Sequence, residues 1–334
     1  MLPRKLSWKI RVDRLTMNIR VLSLLFLVAM FAFPSPGYSY EIFLGSGAPG
    51  SFSYFSGRVL CRLINNQRQG IQCRQVAADD ELHNLTNLLE GSLDISLVGS
   101  RALFDAVNKT GRYEFLDIDY ANLRALGPLY DVPATLIVRQ DAQITDLNNL
   151  KGKRINAGIP QSPQYLAVRS IMQAKKWSKK DFSLFGDLPP SQAHDDTKAF
   201  CYGTMQAMVY VGIHPDFSLR QLLQQCDGRL LSLDDPDIAA MVAADPALWM
   251  VNLAGGTYPS QPEPVVTFGT RTVLVTAAEL DGEIAAKIIR LLDENKDCLA
   301  AAHPALALFS DADARKQPLG IAAHPSAIRY FSQH

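Results

Sequence analysis

Apolar positions along this chain switch repeatedly between two spacings, one of period two and one of helical period. Glu41-Ile-Phe-Leu44 reads as a short strand running into a glycine-rich turn, Gly45-Ser-Gly-Ala-Pro-Gly50. Phe52, Phe55, Val59, Leu60, Leu63 and Ile64 then recur at helical spacing. Gly70–Val76 predicts a second strand. Asp79-Asp-Glu81 opens a helix with Leu82, Leu85, Leu88 and Leu89 on one face, acids there complementing the free N–H groups of a first turn. Leu93–Val98 is a third strand, ending at Gly99-Ser-Arg101. This β-α-β-α-β order predicts a mostly parallel sheet covered by helices, with ligands beyond the carboxyl ends of the strands.

The pattern then restarts. Ala134–Arg139 and Ile155–Gly158 predict strands, and the turn Ile159-Pro-Gln-Ser-Pro-Gln164 opens a helix ending near Lys176. Ala207–Val211 is a further strand, and Val273–Thr276 precedes a long helix from about Ala278 to Ala302. Two α/β units in one chain predict two lobes around a cleft. The first is expected to hold residues 40–137 plus 272–334, and the second 138–271.

The first 39 residues behave differently. They carry six bases and one acid, followed by the uncharged apolar run Val21–Phe33 and the small-residue stretch Pro34-Ser-Pro-Gly-Tyr-Ser39. Thirteen residues are short for a bilayer span, which needs about 20. The arrangement predicts a Sec-type signal peptide over 1–39 and a periplasmic mature chain; an uncleaved anchor is the alternative. The full chain balances 33 basic against 33 acidic residues, and removing the leader leaves 27 and 32, a charge of −5. Such a charge offers no basic surplus for nucleic acid.

Export makes disulfides permissible for the five cysteines, all of which follow the leader. Cys61 with Cys73 and Cys201 with Cys226 are the locally close pairs. Closing each loop contributes about 3 kcal/mol. Cys298 is then the odd one out, expected as a buried thiol on a helix, with pairing between chains as the alternative. No Cys-x-x-Cys and no cysteine–histidine spacing suits zinc, so no metal or cofactor is expected.

From about Glu41 to Phe331 the chain resembles the TAXI family of extracytoplasmic solute receptors, the binding subunits of tripartite ATP-independent periplasmic (TRAP) transporters. The resemblance rests on Gly45-Ser-Gly47…Tyr54, Asp146-Leu…Leu150-Lys-Gly-Lys-Arg154, Cys201-Tyr-Gly…Ala207-Met-Val-Tyr210…His214-Pro215, Ala254-Gly-Gly-Thr-Tyr258, Thr267-Phe-Gly269, His303-Pro-Ala305 and His324-Pro-Ser-Ala…Tyr330. One branch of that family has cysteines at the places of Cys61, Cys73, Cys201 and Cys226, which supports both pairs. The resemblance implies a type II periplasmic-binding-protein fold that closes on a small ligand, commonly an acidic amino acid or another carboxylate. It also implies a partner permease of fused small and large membrane subunits.

This chain departs from the family where the ligand is expected. Ala78-Asp-Asp-Glu81 stands where Thr-Gly-Gly-Ser is usual, Gly99-Ser-Arg101 where Gln-Ser-Asp is usual, and Pro160-Gln-Ser-Pro163 where Pro-Gly-Ser-Gly is common. Gln206 replaces an aspartate. The expected ligand-binding set is Ser46, Gly47, Tyr54, Asp79, Asp80, Ser100, Arg101, Gln161, Ser162, Gln164 and His214. Arg101 offers a two-pronged contact to a carboxylate, and the acids suit a cationic group. The competing assignments are an Arg101 pair with Asp79 or Asp80, and acids that only cap their helix. Asp79-Asp-Glu-Leu-His83 as a metal site is disfavoured, because Asp80 and Glu81 point away from the face shared by Asp79 and His83. His214, His303 and His324 each precede proline and suit capping or packing, with His214 near the cleft. No nucleophile–base pair or phosphate loop is present, so no enzyme is expected. The expected function is a monomeric receptor for a small-molecule solute; the alternative is a stand-alone periplasmic sensor or protein-interaction subunit with a diverged pocket.

Overall fold

The computed structural model describes residues 40–67, 70–186 and 195–333. The expected leader, residues 1–39, lies outside the described residues. Ten strands form one sheet among these residues: β1 (Tyr40–Ser46), β2 (Ile71–Ala77), β3 (Ile95–Gly99), β4 (Leu123–Arg139), β5 (Arg154–Asn156), β6 (Leu184–Gly186), β7 (Ala207–Val211), β8 (Gly228–Leu231), β9 (Trp249–Leu253) and β10 (Val265–Ala277). Their order is β2-β1-β3-β10-β4-β7-β5-β6, with β8 pairing to β4 and β9 to β10. β1 runs parallel to β3, and β5 parallel to both β6 and β7. β10 is antiparallel to β3, β4 and β9, and β4 antiparallel to β7 and β8. The sheet is therefore mixed, not mostly parallel. Two parallel sets are joined by a pair of long antiparallel strands.

The helices begin where short polar side chains can accept the free N–H groups of a first turn. Ser51 caps α1 (Phe52–Asn66) through Tyr54 N, and Asp80 caps α2 (Glu81–Leu89) through Leu82 N. The next helix, α3 (Ser100–Asn108), starts directly at the end of β3 with no side-chain cap. Ser162 caps α4 (Pro163–Ala174), whose proline at the first position needs no N–H partner. Further along, α5 (Asp195–Cys201) precedes α6 (Phe217–Gln225), which Asp216 caps, and α7 (Pro236–Ala244), which Asp235 caps. The long helix expected to Ala302 is interrupted: α8 (Gly282–Glu294) stops at Asn295, whose φ and ψ of −111° and 27° leave the helical region, and α9 (Lys296–Ala302) follows. Cys298 lies on α9 but is exposed, not buried, because Leu299 takes the inward position of that short helix. Cys61–Cys73 ties α1 to β2, and Cys201–Cys226 ties the ends of α5 and α6.

The buried side chains segregate. One pair of clusters draws on residues between Ile42 and Tyr130 and again between Val273 and Tyr330. The other pair draws on residues between Ala134 and Phe268. Between these cores, on the two long strands, lie residues 131–133 and 269–272. Here Arg271, 3% exposed, opposes Asp131 in register. Its Nε donates to Asp131 Oδ1 at 2.6 Å and its Nη2 to Oδ2 at 3.2 Å, while Nη1 donates to Gln317 at 2.9 Å. The guanidinium lies 5.0 Å from the Trp249 ring centroid.

Removing one partner of such a pair leaves a buried charge unmatched, at a cost of about 3–5 kcal/mol. Asp131→Asn is expected to lower urea-unfolding stability by that amount, and a joint Asp131→Leu, Arg271→Met replacement to recover most of it. A loss below about 1 kcal/mol for the single variant would show that the pair is not a stabilising constraint.

Candidate functional site

The first loop is tied to itself. Ser46, at the end of β1, is fully buried; its hydroxyl accepts from Gln75 Nε2 at 2.7 Å and faces the Val76 carbonyl at 3.4 Å. Gln75 also donates to the Tyr54 carbonyl at 2.9 Å, and Gly47 N donates to Ser53 Oγ at 3.0 Å. Ser46, Gly47 and Tyr54 are thus brought together, with the Ser46 hydroxyl spent on internal bonds.

The acids after β2 serve neighbouring backbone and one arginine. Asp79 is exposed. Asp80 caps α2 and pairs with Arg112; burial pushes its carboxyl up, but the Arg112 bond, the Leu82 N–H and the nearby positive charge together hold it below its ordinary range. Glu81 accepts the Gly99 N–H at 2.6 Å, linking the β2 and β3 ends.

The end of β3 reaches across to the other half of the chain. Ser100 Oγ accepts from Arg271 N at 3.0 Å and donates to the Ala247 carbonyl at 2.8 Å. Arg101 pairs with Asp245, and its guanidinium sits 5.5 Å from the Phe104 ring centroid. The partner is thus neither Asp79 nor Asp80. β3 lies beside β10, which also pairs with β9; β9 starts just after the 245–248 turn, and this brings Asp245 to Arg101 across 144 residues.

Two cavities adjoin the connecting strands and share Val132. The smaller, about 300 Å³, is lined by Arg101, Pro163, Leu166, Val211, Leu248 and Phe268 among others. Gln161, Ser162 and Gln164 sit at the start of α4 beside Pro163 but do not line it; Ser162 Oγ is occupied by the Tyr165 N–H at 3.2 Å. The larger, about 520 Å³, is walled by Phe52, Phe55, Tyr130, Tyr210, Asp216 and His303. Both volumes fall within the roughly 300–1,000 Å³ range of small-molecule sites. Phe52 is the hub of the larger chamber, with ring centroids 4.9 Å from Tyr130, 4.7 Å from His303 and 5.6 Å from Phe55. A Cβ at Gly212 would meet the hydroxyl end of the Tyr210 ring, so glycine there lets that ring lie against the backbone. Burial, and after it the neighbouring Asp216 carboxylate, pushes the Tyr210 phenol well up.

The histidines hold this region in shape. His214 is buried, with Nε2 2.8 Å from the Thr135 hydroxyl and Nδ1 2.7 Å from the Tyr258 hydroxyl, which also accepts the Asp216 N–H at 3.0 Å. Burial depresses His214 to about 4 and keeps the ring neutral. It lines a separate cavity of about 340 Å³ instead of the two chambers. His303 accepts the Ala305 N–H at Nδ1, 3.2 Å, so its proton is on Nε2, 3.3 Å from the Pro215 carbonyl. His324 caps the Pro325–Phe331 helix in the same way. No three His, Cys, Asp or Glu side chains cluster as metal donors among the described residues.

A family model described as the NMT1-like family matches residues 44–333. Among solved structures, a TctC solute binding protein from Polaromonas is similar over 90% of this chain and 95% of that one, with a TM-score of 0.54 and 13% identity. The periplasmic aliphatic sulphonate binding protein SsuA from Escherichia coli is similar over 90% and 84%, with a TM-score of 0.48 and 17% identity. At such identities the likeness to the Polaromonas protein is one of fold, that of the periplasmic binding proteins.

A histidine held neutral in the fold while free to protonate in the unfolded chain destabilises the fold as pH falls. For His214 the loss begins near its ordinary value of 6.5 and is complete below about 4. Its full size is on the order of 3 kcal/mol. Burial lowers His303 and His324 as well, so they add to the same window. His214→Gln is expected to show a smaller stability loss than the parent between pH 6.5 and 4, by about that amount. Equal losses in urea titrations at the two pH values would contradict the neutral-strut assignment.

Proposed function

Because the chain belongs to the NMT1-like family, we propose that it is an exported receptor that takes a small solute into the cleft between its two halves and delivers it to a membrane permease. The observation that carries this reading is the pair of adjoining cavities at Val132, whose walls come from both sides of the strand crossing. The two halves, expected as residues 40–137 with 272–334 and 138–271 but with cores that meet at the crossing of residues 131–133 and 269–272, act in this reading as lobes that close on the solute. Contacts made to both lobes favour the closed state over the open one. In the finer form of the proposal the chain is a TAXI-type receptor for a TRAP permease, working as a monomer in the periplasm after a signal peptide is removed. No chemistry is performed on the solute.

Arg101 is the group of the smaller chamber that suits a solute carboxylate, with Asp245 occupying it until the solute arrives. The same pairing favours a second reading. Ser46, Asp80, Ser100 and Arg101 all have partners within the chain, as a sensor or interaction subunit with a diverged pocket would have.

A thermal-shift screen of the oxidised mature chain against amino acids, organic acids, sulfonates and amines separates the two. A receptor bound at a hundredfold excess over its Kd gains about 2.7 kcal/mol. Stabilisation by at least one solute class is expected, and none by any class would favour the second reading. Where a carboxylate binds, Arg101→Ala is expected to weaken it roughly tenfold or more; an unchanged affinity would remove Arg101 as its anchor.

A further inference from the structure

The larger chamber has a wall chemistry that the smaller one lacks. Five rings, those of Phe52, Phe55, Tyr130, Tyr210 and His303, surround it, and among the described residues Asp216 is its one charged lining residue. No lysine or arginine among the described residues lines it. His303 adds no positive charge, because Nδ1 accepts a backbone N–H and its pKa is lowered by burial. Asp216 is held in place from two sides: its Oδ1 accepts the Leu219 N–H at 2.7 Å and its own N–H donates to Tyr258 at 3.0 Å. The carboxylate is therefore fixed at the wall.

Aromatic rings present negative electrostatic potential at their faces and attract desolvated cations, with quaternary ammonium groups the usual beneficiaries. A fixed carboxylate adds a charge that a neutral or anionic solute cannot use. We infer that the Phe52–Tyr210–Asp216 chamber is a subsite for an organic ammonium group, so that the solute of this receptor carries a compact cationic head. The inference rests on the receptor reading above and narrows it to a ligand class. It gives the cleft two ends of opposite character, an ammonium end at Asp216 and an arginine end at Arg101, meeting at Val132.

The test is calorimetric titration of the oxidised mature chain with choline and, as its uncharged isostere, 3,3-dimethylbutan-1-ol. Choline is expected to bind at least roughly tenfold more tightly than the alcohol. Asp216→Asn keeps a side chain able to cap α6 and is expected to weaken choline by a similar factor while leaving the alcohol unaffected. Phe55→Leu, at the exposed edge of the ring cluster, is expected to weaken choline severalfold and serves if the first variant does not fold. Choline binding no tighter than the alcohol, or undiminished in both variants, overturns the subsite. If anionic solutes stabilise the chain and choline does not, the subsite fails while the receptor reading stands. If no solute of any class binds, both fail.

Discussion

The Arg271–Asp131 pair fixes the point at which everything else in this protein is hung. The chain passes between its two cores on β4 and β10, and the pair sits in the short stretch of those strands that belongs to neither core. A buried ion pair is tolerable only when its donors are filled, because desolvation otherwise exceeds the attraction. Here the carboxylate takes two guanidinium bonds, Gln317 takes a third, and the Trp249 ring centroid lies 5.0 Å from the guanidinium. The Arg271 N–H is in turn held by Ser100, whose hydroxyl also reaches Ala247. One crossing thus sets the register that places Tyr130 in one chamber, Gly269 and Thr270 in the other, and Val132 in both.

Around that crossing, polar groups are used mainly to position backbone. His214 holds Tyr258, which holds the backbone of Asp216, while His303 reaches the intervening Pro215 carbonyl from the first core. The consequence is a frame with apolar and aromatic walls, in which, among the described residues, Arg101 and Asp216 are the charged groups that line the chambers. Few, fixed charges on apolar walls give a site orientation and selectivity, since each is worth more where water is scarce.

Much of the fold was legible from periodicity. β1, β2, β3 and the first two helices carry local apolar patterns and polar caps, and the two short cysteine loops declare themselves by spacing. The two long strands were only half legible. Leu123–Arg139 contains Gly127, Pro128, Asp131 and Pro133, residues that usually mark loops, and its strand character comes from pairing with β10 about 140 residues away. The candidate site was less legible still. Ser46, Asp80 and Ser100 look like ligand donors in sequence, yet the fold turns them to internal partners. The aromatic chamber is assembled from residues 52–55, 130, 210–216 and 303, four distant segments with no shared spacing. Phe52 and Phe55 were visible only as members of a helical face.

The central claim is that two halves joined at this crossing close over a solute. The most direct measurement is the distance across the cleft between spin labels on α1 and α4, at Arg58→Cys and Arg169→Cys in a Cys298→Ser background, with the disulfides intact. Both positions are exposed. The distance distribution is expected to shift to shorter values and narrow at saturating solute. A distribution unchanged by a solute that demonstrably binds would contradict closure and leave the crossing a static brace.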